Sequence, residues 1–274
     1  MSYLEELFSV RGRVALFTGG AGVLAGAIAR GLGRAGARIV LTDIAPLDER
    51  VQELRQQGIE AYGYRMDVMD KADIKRVAEQ VKRDVGAVDI LLNAAGGNMP
   101  EASTSPERSF FDLPIEALQK VVNLNLFGGA ILPSQVFARQ MLENEAGGVI
   151  INFSSMSAFK PLTRVLGYSA AKAAVSNFTQ WLAVHIAQEY SPKVRVNAIA
   201  PGFFLTKQNR YLLLDELGNL TPRGQAIIAH TPMGRFGEPD DLIGTILWLA
   251  SPASAFVTGA VIPIDGGFSA FAGV

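Results

Sequence analysis

Between Arg13 and Asp43 the chain alternates between two kinds of hydrophobic pattern. "RVALFTGG" (Arg13–Gly20) is a short unbroken apolar run that stops at glycines. "LAGAIARGLGRAG" (Leu24–Gly36) spreads its apolar residues at helical spacing, and "ARIVLTD" (Ala37–Asp43) is again short and unbroken. Unbroken runs of this length predict strands buried on both faces, and the stretch between them predicts a helical crossover. The run recurs as "DILLNAAGG" (Asp89–Gly97), "GVIINFSS" (Gly148–Ser155) and "VRVNAIAPG" (Val194–Gly202). Strands joined by helices predict an α/β fold, with one parallel sheet covered on both faces.

No linker divides the sequence, so residues 1–274 are expected to form one domain. Two pieces break the alternation: 97–114, rich in Ser, Pro and charge, and 206–230, after the "APGFF" strand end. Both follow carboxyl ends of strands, where ligands bind in open α/β sheets. Loops this long usually have a purpose, so both are expected to wall or close a substrate site.

Composition narrows the class. Hydrophobic residues make up 49% and charged residues 19%, with a formal net charge of −1. That is a core-forming balance with no broad attraction to nucleic acid or an anionic membrane. The absence of cysteine excludes disulfides, thiolate nucleophiles and cysteine-based metal sites. The first residues carry acids and do not read as a signal peptide. By inspection no segment reaches the ~18 apolar residues of a membrane span. A soluble, cytoplasmic protein is expected.

"TGGAGVLAGAIA" (Thr18–Ala29) places Gly20, Gly22 and Ala25 in the order G-x-G-x-x-G/A between the first strand and the first helix. Small residues there let backbone approach a pyrophosphate, and a helix N-terminus supplies free N–H groups and partial positive charge. Asp43, 18 residues past Ala25, ends the next strand, where a carboxylate can bind adenosine ribose hydroxyls and repel a 2′-phosphate. No base lies in the glycine turn and Ile44 follows Asp43, which favours NAD over NADP. The expected fold is therefore a doubly wound sheet of Rossmann type. Asp67 and Val68 in "MDV", and the small residues of "NAAGG" (Asn93–Gly97), add two further strand ends to the cofactor side.

"GYSAAKAAVSNF" (Gly167–Phe178) is alanine-rich and should be helical, which puts Tyr168 and Lys172 on one face. An ordinary phenol loses its proton near pH ~10. A neighbouring ammonium favours the phenolate, so Lys172 is expected to lower the Tyr168 pKa and make it a general acid or base. Ser155, 13 residues earlier at a strand end, would hold the reacting oxygen. A packing tyrosine beside a surface lysine would give the same spacing.

The motifs together resemble the short-chain dehydrogenase/reductase family over nearly the full length. They are the glycine turn, Asp43, "MDV", "NAAGG", "NLNLFG" (Asn123–Gly128), "INFSS", "YSAAK", "NAIAPG" and "VTGAVIPIDGG" (Val257–Gly267). The resemblance implies a catalytic set of Ser155, Tyr168 and Lys172, with Asn125 anchoring a water that links Lys172 to solvent. It also implies cofactor contacts from Gly19, Gly20, Gly22, Val23, Leu24, Asp43, Asp67, Val68, Asn93, Ala94, Ala95, Gly96, Pro201, Gly202 and Thr206, besides Tyr168 and Lys172. Family members are usually homotetramers. The glycine turn departs from the family's T-G-x-x-x-G-x-G, because Val23 and Ala25 stand at its last two glycines.

"TGGAGVLAG", "APGFFLTKQNR" and "AHTPMGRFGEPDDL" are similar to a bacterial subgroup described as D-mannonate oxidoreductases, also called fructuronate reductases. That likeness implies interconversion of D-mannonate and D-fructuronate in hexuronate breakdown, without a metal. A sugar acid needs cations for its carboxylate and amides for its hydroxyls. Candidates are Asn98, Lys160, Arg164, Lys207, Gln208, Asn209 and Arg210, together with Ser155. His185 has apolar neighbours and reads as a packing residue, while His230 would cap or line the pocket. Two rivals remain: reduction of another keto sugar acid or polyol such as 5-ketogluconate, and a catalytically silent dinucleotide-binding module.

Overall fold

The computed structural model describes residues 2–206 and 210–273. Among these residues seven parallel strands form one sheet in the order β3-β2-β1-β4-β5-β6-β7. They are β1 (Val14–Thr18), β2 (Arg38–Asp43), β3 (Ala61–Arg65), β4 (Ile90–Asn93), β5 (Gly148–Phe153), β6 (Val194–Pro201) and β7 (Val261–Ile264). The order reverses between β1 and β4, which opens a crevice at their carboxyl ends.

Alternation along each strand sends side chains into two separate cores. Ala15, Phe17, Ile39, Leu41 and Ile151 pack against α2 (Val23–Arg34), α3 (Asp48–Gln56) and α10 (Ile243–Ala250). Val14, Leu16, Val40, Leu91 and Ile150 pack on the other face against α4 (Lys71–Asp84), α6 (Leu132–Glu143) and α7 (Leu166–Glu189). Strands covered on both faces have no solvent side, which is why the sequence runs are continuously apolar. The remaining helices are α1 (Tyr3–Leu7), α5 (Ile115–Val122), α8 (Arg210–Leu213) and α9 (Pro222–Ala229).

The two outer strands have weaker patterns. β3 ("AYGYR") buries only Ala61 and then alternates half-buried tyrosines with exposed positions, and β7 ("VIPI") holds Pro263, which an edge strand tolerates because one side of it lacks a ladder partner. The expected irregular segments carry local structure of their own. Turns of 3₁₀-helix at Pro100–Ala102 and Phe110–Asp112 lie within 97–114, and α8 and α9 lie within 206–230.

One expectation is corrected. The continuous helical stretch Ile115–Glu143 spans 29 residues, and its most apolar 18-residue window has mean hydropathy 1.3, which makes it long and apolar enough by composition to cross a membrane. Lys120, Asn123 and Asn125 interrupt its apolar run, so inspection for an unbroken segment passes over it. Half of its most apolar window is buried, with Phe137 and Met141 in the sheet core.

A buried polar ladder fixes α7 against the sheet. Asn93 and Asn152 are register partners on β4 and β5, and Asn93 Nδ2 donates to Asn152 Oδ1 at 2.8 Å. Asn152 Nδ2 donates to Thr179 Oγ1 on α7 at 2.9 Å. At the opposite end of the sheet, two arginines close the C-terminus of α10. Arg195 Nη2 donates to Leu249 O and Ser251 O at 2.9 and 3.2 Å, and Arg13 Nη1 donates to Ala250 O at 2.8 Å. Cations at a helix C-terminus satisfy carbonyls that lack intrahelical partners.

Candidate active site

At the cofactor end, the first turn of α2 meets the ends of β2 and β4. Gly19 has φ +66°, and a Cβ there would come within 2.8 Å of Ala95 Cα. Only glycine fits both the conformation and the approach. Gly22 is the N-cap of α2 in extended conformation, so Val23 and Leu24 stand in the first turn with N–H groups facing outward from the helix ladder. Asp43 accepts from Ala21 N at 3.1 Å and Ala45 N at 3.0 Å, which fixes its carboxylate beside the turn. This arrangement of small residues, helix N-terminus and strand-end carboxylate fits a dinucleotide.

Other expected contacts divide between ligand-facing and structural positions. Asp67 Oδ1 accepts from Met69 N at 2.8 Å, and its own N–H donates to Asp73 Oδ2 at 2.8 Å, while Val68 is buried beside them. The Asn93 side chain is fully buried in the polar ladder, so it is directed away from the cofactor crevice, unlike its neighbours Ala94 and Gly96. Pro201 ends β6 and Gly202 follows it; both are half-buried, as is Thr206 beyond them. Gly202 N donates to Ile264 O at 2.9 Å, which sets this end beside β7.

Asn125 lies in a π-helical stretch, Asn123–Ile131, between α5 and α6. Its amide grips the "NAAGG" turn: Nδ2 donates to Gly97 O at 2.6 Å, and Oδ1 accepts from Gly97 N at 3.1 Å. The same Nδ2 donates to Val121 O at 2.8 Å. Gly96 has φ +157°, and a Cβ there would stand 2.6 Å from Asn125 Oδ1 and 3.4 Å from Lys172 Nζ. π-Helical insertions re-aim side chains and are frequent at functional sites.

The three expected chemical groups converge. Ser155, two residues past the end of β5, caps a 3₁₀ turn, accepting from Ser157 N at 3.2 Å. Its hydroxyl stands near enough to the Tyr168 phenol to favour the ionised form of that group. Lys172, one turn along α7, is 4% exposed and donates to Phe153 O at 2.7 Å. Ser154 Oγ donates to Lys172 O at 3.0 Å, which ties the strand end to the helix at this residue. The alternative of a surface lysine is therefore removed.

The expected electrostatics are corrected. Burial holds the Tyr168 phenol above its ordinary pKa, and the neighbouring Ser155 hydroxyl offsets only part of that. Lys172 does not lower it in the chain alone. Burial instead brings the Lys172 ammonium down to about 8, because no carboxylate accompanies it.

The proposed substrate side chains do not gather at one point. Asn98 Nδ2 donates to Ser103 Oγ at 2.7 Å, and Lys160 Nζ donates to Phe271 O at 2.7 Å. Arg164 lines a cavity of about 500 Å³ with Phe110, Leu166, Ala170 and Ala173. At roughly 100° per residue, those α7 positions point away from Tyr168 and Lys172, so Arg164 leaves the reaction side. Arg210 begins α8 and is exposed. Lys207, Gln208 and Asn209 lie outside the described residues. His230 is exposed and faces the rings of Phe268 and Phe271, and His185 stacks on Trp181 at 4.7 Å.

Sequence reasoning passed over Thr18, Asp73 and Phe153. Thr18 Oγ1 accepts from Ala95 N at 3.1 Å, while Asp73 and Phe153 hold Asp67 N and Lys172 Nζ as described. Thr18 and Asp73 act on backbone and Phe153 through backbone, so none has a side-chain spacing to reveal it.

A family model described as Enoyl-(Acyl carrier protein) reductase matches residues 20–269. The chain belongs to the short-chain dehydrogenase/reductase family, and it is an oxidoreductase that binds a nicotinamide dinucleotide. It is 47% identical over 277 residues to the uncharacterized oxidoreductase UxuB of Bacillus subtilis (strain 168), covering 97% of this chain and 98% of that one. It is 45% identical, with TM-score 0.91, to a structure from Haemophilus influenza called a "putative D-Mannonate oxidoreductase" with bound NAD, covering 97% and 98% of the two chains. A gluconate 5-dehydrogenase from Burkholderia cenocepacia in complex with NADP and tartrate is 31% identical, with TM-score 0.83, covering 98% and 100%.

Proposed function

We propose that this enzyme interconverts a sugar-acid alcohol and its keto form, with D-mannonate and D-fructuronate as the pair and NAD(H) as the cofactor. The observation that carries the chemistry is the convergence of the Ser155 hydroxyl and the Tyr168 phenol, with Lys172 buried one helical turn along and its ammonium 5.6 Å from the Tyr168 ring centre. A bound nicotinamide dinucleotide supplies the hydride exchange. In the reducing direction the neutral Tyr168 phenol gives its proton to the substrate carbonyl oxygen, while the Ser155 hydroxyl donates a hydrogen bond to that oxygen. A raised phenol pKa suits this direction, because the acid form is the one present at neutral pH. Lys172, near 8, can pass a replacement proton towards Tyr168, with Asn125 holding the turn beside it.

Asp43 supports NAD, since its carboxylate is fixed by two backbone donors where a 2′-phosphate would meet it. Gly19, Gly20, Gly22, Val23, Leu24, Asp67, Val68, Ala94, Ala95, Gly96, Pro201, Gly202 and Thr206 complete the proposed cofactor contacts. The substrate reading is supported by the name of the relative at 45% identity. The gluconate 5-dehydrogenase relative favours a second reading, reduction of 5-ketogluconate. One domain over 1–274 is proposed, as is a homotetramer. The exposed apolar face of α7 supports self-association, with Trp181 and Val184 each 57% exposed.

NADH oxidation measured in parallel on fructuronate, tagaturonate and 5-ketogluconate tests the assignment. A kcat/KM for fructuronate at least about ten-fold above the others is expected. Equal rates would replace it with a general sugar-acid reductase.

A further inference from the structure

The C-terminal segment after β7 does not hang from the sheet edge. It leaves β7 at Asp265, whose carboxylate accepts from Gly267 N at 2.9 Å and Ser269 N at 2.8 Å. Phe271 N then donates to Gly267 O at 3.0 Å, curling the chain back. Phe268 packs edge-on against Phe203, which follows the end of β6, with ring centres 5.3 Å apart. The Phe271 carbonyl finally accepts from Lys160 Nζ at 2.7 Å, a contact between residues 111 positions apart. Lys160 stands five residues past Ser155, on the segment that follows β5. The sheet order here is β5-β6-β7. A chain that starts at the end of β7, touches the end of β6 and is fastened from the end of β5 must cross the carboxyl edge where Ser155 and Gly202 lie.

We propose that residues 268–273 roof the substrate site and that Lys160 is a positioning residue which acts by fastening this roof. The inference rests on the catalytic reading of Ser155 and Tyr168 and adds to it a specificity element. The aromatic edge of the roof is formed by Phe268, Phe271 and Phe203, with His230 set 6.2 and 6.5 Å from the first two rings. Apolar walls of this kind orient a polyhydroxy substrate by excluding water from one side. Lys160 holds them through a charged donor on a neutral carbonyl, a stronger bond than a neutral pair would make.

The test is a double-mutant cycle with Lys160→Met and a chain ending at Gly267, singly and together, plus Lys160→Arg. Lys160→Met should raise KM for the preferred keto acid about ten-fold with kcat within about two-fold, and Lys160→Arg should restore it. In the truncated chain Lys160→Met should have no further effect, because the group it acts through is gone. An equal KM increase in both backgrounds would show that Lys160 meets the substrate directly, and would overturn the proposal. So would a truncated chain with wild-type KM. Chymotrypsin cleavage after Phe268 and Phe271, followed by intact mass, needs no turnover. Faster tail cleavage in Lys160→Met than in wild type is expected, and equal rates would remove the fastening. A wild-type chain inactive on every keto acid, yet showing this cleavage difference, would count against the catalytic reading and not against the latch.

Discussion

The ammonium of Lys172 sits over the ring of Tyr168, 5.6 Å from its centre, while its proton donation goes to the Phe153 carbonyl. The cation therefore meets the aromatic face, and the phenol oxygen is left to Ser155. The two residues are coupled through the ring and the site, and are not directly hydrogen-bonded partners.

That division assigns separate losses. Tyr168→Phe removes the proton donor and keeps the ring face, so NADH turnover should fall by about 10²–10⁴-fold while NADH affinity stays within about two-fold. Fluorescence titration alongside steady-state assay checks both quantities. Wild-type turnover in this variant would end the role given to the phenol.

Lys172 gives a pH signature in the cofactor-free chain. Its folded pKa is about 8, against an unfolded value of 10.5. Below 8 both states hold the proton and the full burial penalty is present. Between 8 and 10.5 the unfolded chain binds more protons, so this group's contribution to stability rises with pH and levels off above 10.5. The total change is about 3 kcal/mol. Thermal unfolding of wild type minus Lys172→Met, followed across this range, should show wild type gaining. A flat difference would mean that the ammonium is not buried.

Asp43 is pinned by Ala21 N and Ala45 N. Asp43→Ser should cost NADH about 10–100-fold in kcat/KM, the worth of charge-assisted hydrogen bonds, and should improve NADPH. The ratio of the two cofactors' kcat/KM is the measurement. An unchanged ratio would locate the discrimination elsewhere.

Arg195 is a stability element remote from the reacting groups. Burial brings its pKa down to about 10, with Arg13 adding repulsion, yet it satisfies carbonyls at the end of α10. Arg195→Met should lower unfolding free energy by about 3–5 kcal/mol, since the carbonyls lose their donors. KM for both substrates should stay at the wild-type value. Denaturant unfolding and kinetics together check this.

The strands that build the crevice were legible because burial on both faces wrote them as unbroken runs: β1, β2, β4, β5 and β6 lie within those runs. β3 and β7, at the sheet's margins, lack that signature. Ser155, Tyr168 and Lys172 were legible because strand end and helical spacing are local facts. Lys160 and Arg164 were not, since a loop cation's partner depends on tertiary folding. Lys160 turned to the C-terminal segment, and Arg164 to the far side of α7. The phenol's acidity also escaped the pattern. Spacing reveals that an ammonium is near, but the depth of burial decides which group pays the electrostatic cost.

The reversal of strand order between β1 and β4 has an evolutionary corollary. The ends of β1, β2 and β3 and the segments after them carry Gly19, Asp43 and Asp67, whereas the segments after β5 and β7 carry Ser155 and the C-terminal roof. Nucleotide choice and acid choice thus sit on opposite flanks, free to drift independently. Grafting the outer segments of one relative onto another is a route to exchange substrates while the coenzyme preference is inherited intact.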